Sequence, residues 1–213
     1  MIKSIAISTL EILTLVFGPL PLLLFFFKKT KKVAAGVIFI YVLGSFITDS
    51  LISYHYYVHE IINKPILSRV FTLFEVLLFS VFFIVAINKK WTNIIIGVMF
   101  VTFLVAFLQH WNAPPKKFDS IPASIGAIIC IVFSLIYLYI TASNLQKNIT
   151  IFSSTSFWCA MGILIYMAGN LFMFITFNNF NRPDAIKLAN IIFPLMNILK
   201  NIFFSVGMLQ KEE

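Results

Sequence analysis

Three acids and one lysine stand inside stretches of this chain that are otherwise apolar: Glu11, Asp49, Glu75 and Lys200. Placing a charge in a membrane-crossing helix costs about 2.5–3.5 kcal/mol on insertion scales, so such residues face a bundle interior and mark binding, ion or proton chemistry. Each is embedded in a polar stripe with helical spacing. Tyr41, Ser45, Asp49, Ser53, Tyr56 and Glu60 recur at steps of three or four; Ser68, Thr72 and Glu75 repeat the pattern, as do Ser4, Ser8 and Glu11. Near the C-terminus, Asn190, Asn197 and Asn201 are spaced by seven and four, with Lys200 beside them and Pro194 freeing a backbone carbonyl nearby.

The stretch "YHYYVHE", residues 54–60, adds a second possibility. His55 and His59 are four apart and share one helical face, as two metal ligands on a helix must, and Glu60, Asp49 or Glu75 would complete a shell. The plainer reading is an aromatic belt at the membrane boundary, with Tyr54 and Tyr57 in the belt and Tyr56 and Glu60 continuing the Asp49 stripe to the surface.

The elements that position these groups follow from composition. Of the 213 residues, 60% are hydrophobic and 11% charged, and the mean hydropathy is +0.96; one soluble core cannot hide that much apolar surface. Apolar runs of the length a bilayer requires predict seven transmembrane helices, at about 4–27, 33–57, 66–87, 92–110, 121–142, 152–177 and 186–208. The fold class is therefore all-α, a polytopic integral membrane protein, expected as a single domain over 1–213 because no loop is long enough for a soluble module. The first run exceeds the 7–15 residues of a signal-peptide core and carries Glu11, so it is expected to remain as helix one.

The net charge of +8 would point to nucleic acid in a soluble protein, but here the lysines occupy short loops. "KKTKK", directly after helix one, against a lone Lys3 before it, predicts the N-terminus outside and the C-terminus in the cytoplasm. Cys130 and Cys159 fall at depths differing by roughly 12 Å, beyond the reach of a disulfide, so both are expected as free thiols.

Counting 1.5 Å per residue from the outer boundary places Glu11 about 10 Å deep, Asp49 and Glu75 about 12 Å, and Lys200 about 20 Å. Asn170 and Asn190 fall near the level of the acids. The expectation is a polar pocket, opening outward and walled by helices one, two, three, six and seven. Asp49 and Glu75 are its central charges, Glu11, Asn170, Asn190 and Asn197 its supports, and Lys200 its floor. Tyr56, Glu60 and Arg69 form the rim, Arg69 screening anions or pairing with Glu60. Buried Asn, Ser and Thr also join helices structurally, and an acid–lysine pair can lock a bundle. Three acids against one base leave charge unbalanced, and a proton taken up by one acid would remove the imbalance, which admits a proton-coupled role.

Several resemblances accompany these residues. The seven-helix count and the histidines of helix two resemble the ceramidase-like and progestin-receptor-like membrane hydrolases, which would imply a metal-dependent hydrolase using His55 and His59; helix seven carries no histidine pair. "NILKNIFFS" resembles the Schiff-base segment of microbial rhodopsins and would imply a retinal-binding photoreceptor or pump using Lys200, with Glu75 as counter-ion; Met196 stands where an acid is usual. "FTLFEVLLFS" and "FWCAMGILIYMAGNLFMF" resemble segments of small, uncharacterised seven-helix bacterial integral membrane proteins, a likeness that implies no activity.

The functional expectation is binding of a small molecule or ion in the outward-facing pocket, for sensing or permeation, without catalysis. The sequence names no cofactor. The expected partners are the lipid bilayer, the bound small molecule or ion, and either further copies of the chain or a separate signalling or transport subunit, with no nucleic acid. The expected location is a bacterial cytoplasmic membrane.

Overall fold

The computed structural model describes residues 10, 13–28, 33–58, 64–111, 120–143, 151–176 and 183–210; the side chains at 28, 52–58, 64–65, 151, 176 and 183–187 lie outside that description. The described residues are helical with short connections. The helices are α1 (Leu20–Lys28), α2 (Val33–Val58), α3 (Lys64–Ile87), α4 (Lys90–Trp111), α5 (Ser120–Ser143), α6 (Thr155–Thr176) and α7 (Pro183–Leu209), with a 3₁₀ turn at Ile151–Ser153 before α6.

Six of these helices, α2 to α7, are long and apolar enough to cross a membrane. The first apolar stretch, expected as one span over 4–27, is described only at residue 10 and from residue 13, and it bends within that part. Residues 13–17 are helical, 18 and 19 bend, and α1 then begins, so the described apolar segment Leu13–Phe27 is shorter than a span. Proline is the reason. Gly18 N still donates to Thr14 O at 2.8 Å, but Pro19 has no N–H, and its ring disfavours a helical residue before it. The ladder resumes when Leu23 N donates to Pro19 O at 3.1 Å.

Each long helix turns one face inward and gives the other to lipid. On α2, Ala34, Ala35, Ile38, Tyr41, Val42 and Ser45 are buried, whereas Ile40, Leu43, Ile47 and Leu51 are exposed. On α4 only a narrow stripe is buried, Ile96, Phe103 and Phe107, so this helix leans on the bundle from outside. Trp91, 79% exposed at the start of α4, fits an interfacial anchor.

Packing follows a ring. α1 lies against α2 and α7, α2 against α3, α3 against α4 and α5, α5 against α6, and α6 most extensively against α7. Small residues allow the closest approaches. A Cβ at Gly126 would come within 2.6 Å of Val76 Cγ2, and one at Gly162 would meet Phe203 and Phe204 at 3.0 Å. Without water to drive helices together, such close contact supplies much of the attraction. Cys130 and Cys159 are buried free thiols.

Candidate polar cavity

Within the ring, side chains from five elements surround a cavity of about 280 Å³. Its lining comes from Thr14, from Ser45 and Asp49 on α2, and from Ser68, Phe71, Thr72 and Glu75 on α3. Tyr166, Asn170 and Phe174 on α6 and Phe193, Pro194 and Asn197 on α7 complete it. The stripes of α2 and α3 explain five of these thirteen: positions 45 and 49, and 68, 72 and 75, share inward faces because 3.6 residues make a turn. A smaller void of about 10 Å³, room for about one water, lies between Asp49 and the segment 14–18 and is bounded also by Ser45 and Asn201.

The cavity ends at a charged layer. Lys200 Nζ donates to Tyr41 Oη at 2.7 Å, and Tyr41 Oη donates to Glu75 Oε1 at 2.7 Å, so one hydroxyl bridges base and acid. The ammonium also lies 4.7 Å from the Tyr41 ring centroid and 4.2 Å from that of Tyr166. Lys200 is 1% exposed and Glu75 6%. A charge held in so dry a place needs a partner, and here each has one. Beyond the layer, Phe79 lies tilted against Tyr41 with centroids 4.4 Å apart and Phe204 meets it edge-on at 6.1 Å, closing that end with aromatic rings.

Asp49 is placed differently. Its direct side-chain partners are neutral: Asn197 Nδ2 donates to Asp49 Oδ2 at a long 3.4 Å, and the Ser45 hydroxyl is adjacent. Two lining acceptors, Asn170 Oδ1 and Asn197 Oδ1, have no partner among the described residues, and Asn170 is 1% exposed. Buried polar atoms are normally satisfied by protein or by ordered water, so an orphan on a cavity wall points to something the cavity holds.

The expected site residues thus separate into groups. Asp49, Glu75, Asn170 and Asn197 share one lining. Lys200 lies behind it, reached through Tyr41. Asn190 is exposed and outside the lining, one turn before Phe193 and Pro194 on α7. Arg69 is buried, 6% exposed, and its Nη1 donates at 2.8 Å to Trp111 O at the end of α4, while Glu60, its expected partner, lies outside the described residues. A long amphipathic side chain at a helix start can fold its stem inward to cap a neighbouring helix's free carbonyl. Glu11, and the side chains of His55, Tyr56, His59 and Glu60, lie outside the described residues, which contain no cluster of three metal-ligating groups.

Two polar lining residues are absent from the stripes and site residues read in the sequence. Tyr166 sits in an apolar run, but its spacing of four from Asn170 was the available signal. Thr14, three positions after Glu11, continued the stripe of helix one, and its own hydroxyl donates to Leu10 O at 2.9 Å. Comparison with protein-family models, with curated proteins and with solved structures returns no match for this chain.

Proposed function

We propose that this protein binds a small molecule or ion in the cavity between α2, α3, α6 and α7, as a multi-pass protein of a bacterial cytoplasmic membrane, in a sensing or permeation role exercised with partner proteins. The observation that supports the reading is Asn170 Oδ1: a buried acceptor without a partner, on the wall of a cavity that also exposes Asp49. A bundle locked only by internal hydrogen bonds would have consumed those acceptors. The aromatic closure behind Lys200 favours binding from one side, with any passage requiring a rearrangement of the Tyr41 layer. The cavity mouth faces outward in this proposal, following the basic loop after helix one.

Thiol accessibility tests the pocket itself. In the full chain reconstituted in nanodiscs, Thr72→Cys on the lining is expected to react with a small water-soluble thiol reagent at least tenfold faster than Ser80→Cys, two turns further along α3 in the dry region. The native Cys130 and Cys159 are buried and provide a low background. Equal, slow labelling at both positions would remove the pocket.

A further inference from the structure

The cavity has a polarity that narrows what it can hold. Its orphan atoms are both acceptors, Asn170 Oδ1 and Asn197 Oδ1. The orientation of the Asn197 amide is set by its neighbour, because a carboxylate only accepts and the nitrogen must therefore face Asp49. Charge points the same way. Lys200 is bonded through Tyr41 to Glu75 and acts on Asp49 only through space, so the direct partners of Asp49 among the described residues are neutral. Orphan acceptors beside a carboxylate whose direct partners are neutral match an occupant that donates hydrogen bonds and carries positive charge.

Size and shape separate two kinds of cation. A bare metal ion needs a tight shell of oxygens, whereas about 280 Å³ has room for a handful of non-hydrogen atoms. Part of the lining is aromatic. Phe174 and Phe193 stack with ring centroids 5.7 Å apart, and Phe71 lines the same space. Such rings suit the short apolar body of an organic cation and attract its charge through their faces.

We propose that the cavity is a site for a small primary ammonium compound, its nitrogen held by Asp49 and the Oδ1 atoms of Asn170 and Asn197 and its carbon body against Phe71, Phe174 and Phe193. The proposal rests on the pocket reading above and specifies its ligand class. Asp49 supplies the charge complement, and the two amides supply directional acceptors that a hydroxyl of similar size would satisfy only in part.

Titration calorimetry on the purified full chain, with propylammonium as the probe, propan-1-ol as its neutral counterpart and sodium as the inorganic competitor, tests it. Propylammonium is expected to bind at least tenfold more tightly than propan-1-ol and not to be displaced by equimolar sodium. Asp49→Asn is expected to weaken propylammonium at least tenfold, Asp49→Glu to stay within a few-fold of the wild type, and Asn170→Leu to weaken it several-fold. Helical circular dichroism and unfolding midpoints verify that the variants fold. Equal binding of propan-1-ol, or an unchanged Asp49→Asn, overturns the ammonium assignment while a pocket for neutral molecules survives. Displacement by sodium overturns it in favour of an inorganic cation. Failure of every probe overturns it too, and the Thr72→Cys labelling rate then shows whether the pocket reading has fallen with it.

Discussion

On the two sides of Lys200 the buried serines of one half and the acid and amide groups of the other meet their hydrogen-bond needs differently. In the half containing Phe79, Phe82, Phe83, Phe133 and Phe204, all fully buried, each buried serine turns to its own helix. Ser80 donates to Val76 O at 2.7 Å, Ser134 to Cys130 O at 2.8 Å and Ser205 to Asn201 O at 2.7 Å. Those hydroxyls need nothing from a neighbour. In the other half, Asp49, Asn170 and Asn197 reach across between helices or reach nothing. A polar residue in a membrane helix is thus uninformative by type alone; what matters is whether its hydrogen bonds close within its own turn. Lys200 and Tyr41 form the boundary, and the comparison can be broken there first.

Lys200→Met leaves Glu75 without its bridged base in a dry site, and removing one member of a buried pair costs about 3–5 kcal/mol. The double variant Lys200→Met/Glu75→Gln is expected to regain most of that loss, as read by unfolding in detergent. A double variant no more stable than the single one would show that the Tyr41 bridge couples nothing. Retinal added to the wild type is expected to give no visible absorbance band, since Lys200 Nζ is enclosed between two tyrosine rings and absent from the cavity lining.

Packing distinguishes the halves next. Gly162 faces Phe203 and Phe204 at 3.0 Å, so Gly162→Leu has nowhere to go and is expected to cost about 1–3 kcal/mol by overpacking. Ser68→Val adds volume into open space and is expected to stay within about 1 kcal/mol of the wild type. Parity between the two would mean that the cavity collapses, or that the α6–α7 seam yields. Tyr41→Phe is expected to match Gly162→Leu: it strands a donor on Lys200 and an acceptor on Glu75, at about 1–3 kcal/mol.

How far the sequence carried this picture depends on period and on neighbours. Period is local, so the faces of α2 and α3 were legible: Ser45 and Asp49, and Ser68, Thr72 and Glu75, had to point one way. Helix limits were legible to within about three residues for α2 to α7 because hydropathy changes sharply at each loop. Neighbours are not local. Nothing in the spacing of Lys200 told that Tyr41, 159 residues away, would stand between it and the cavity, or that Arg69 would turn to Trp111. Asn190 shares the 3.6-residue face of Asn197, yet the proline between them marks where the lining begins. The break at Gly18 and Pro19 was legible in principle, since two prolines two apart interrupt any ladder, but a hydropathy window averages over them.

The smallest expected effect is also the one that separates a structural asparagine from one kept for a ligand. If Asn170 joined helices, its loss would destabilise the bundle, as the loss of any satisfied buried hydrogen bond does. Its Oδ1 has no partner, so the empty protein carries the desolvation penalty with no return. Asn170→Leu, close in volume and apolar, removes that penalty and adds contact with Phe174 one turn away. The variant is expected to be more stable than the wild type by about 1 kcal/mol without ligand, and to bind the ammonium probe less tightly. A gain in stability paired with a loss of binding is the pattern of a functional group held under strain in an unfilled site, whereas a loss of both would assign Asn170 to the helix seams of the dry half.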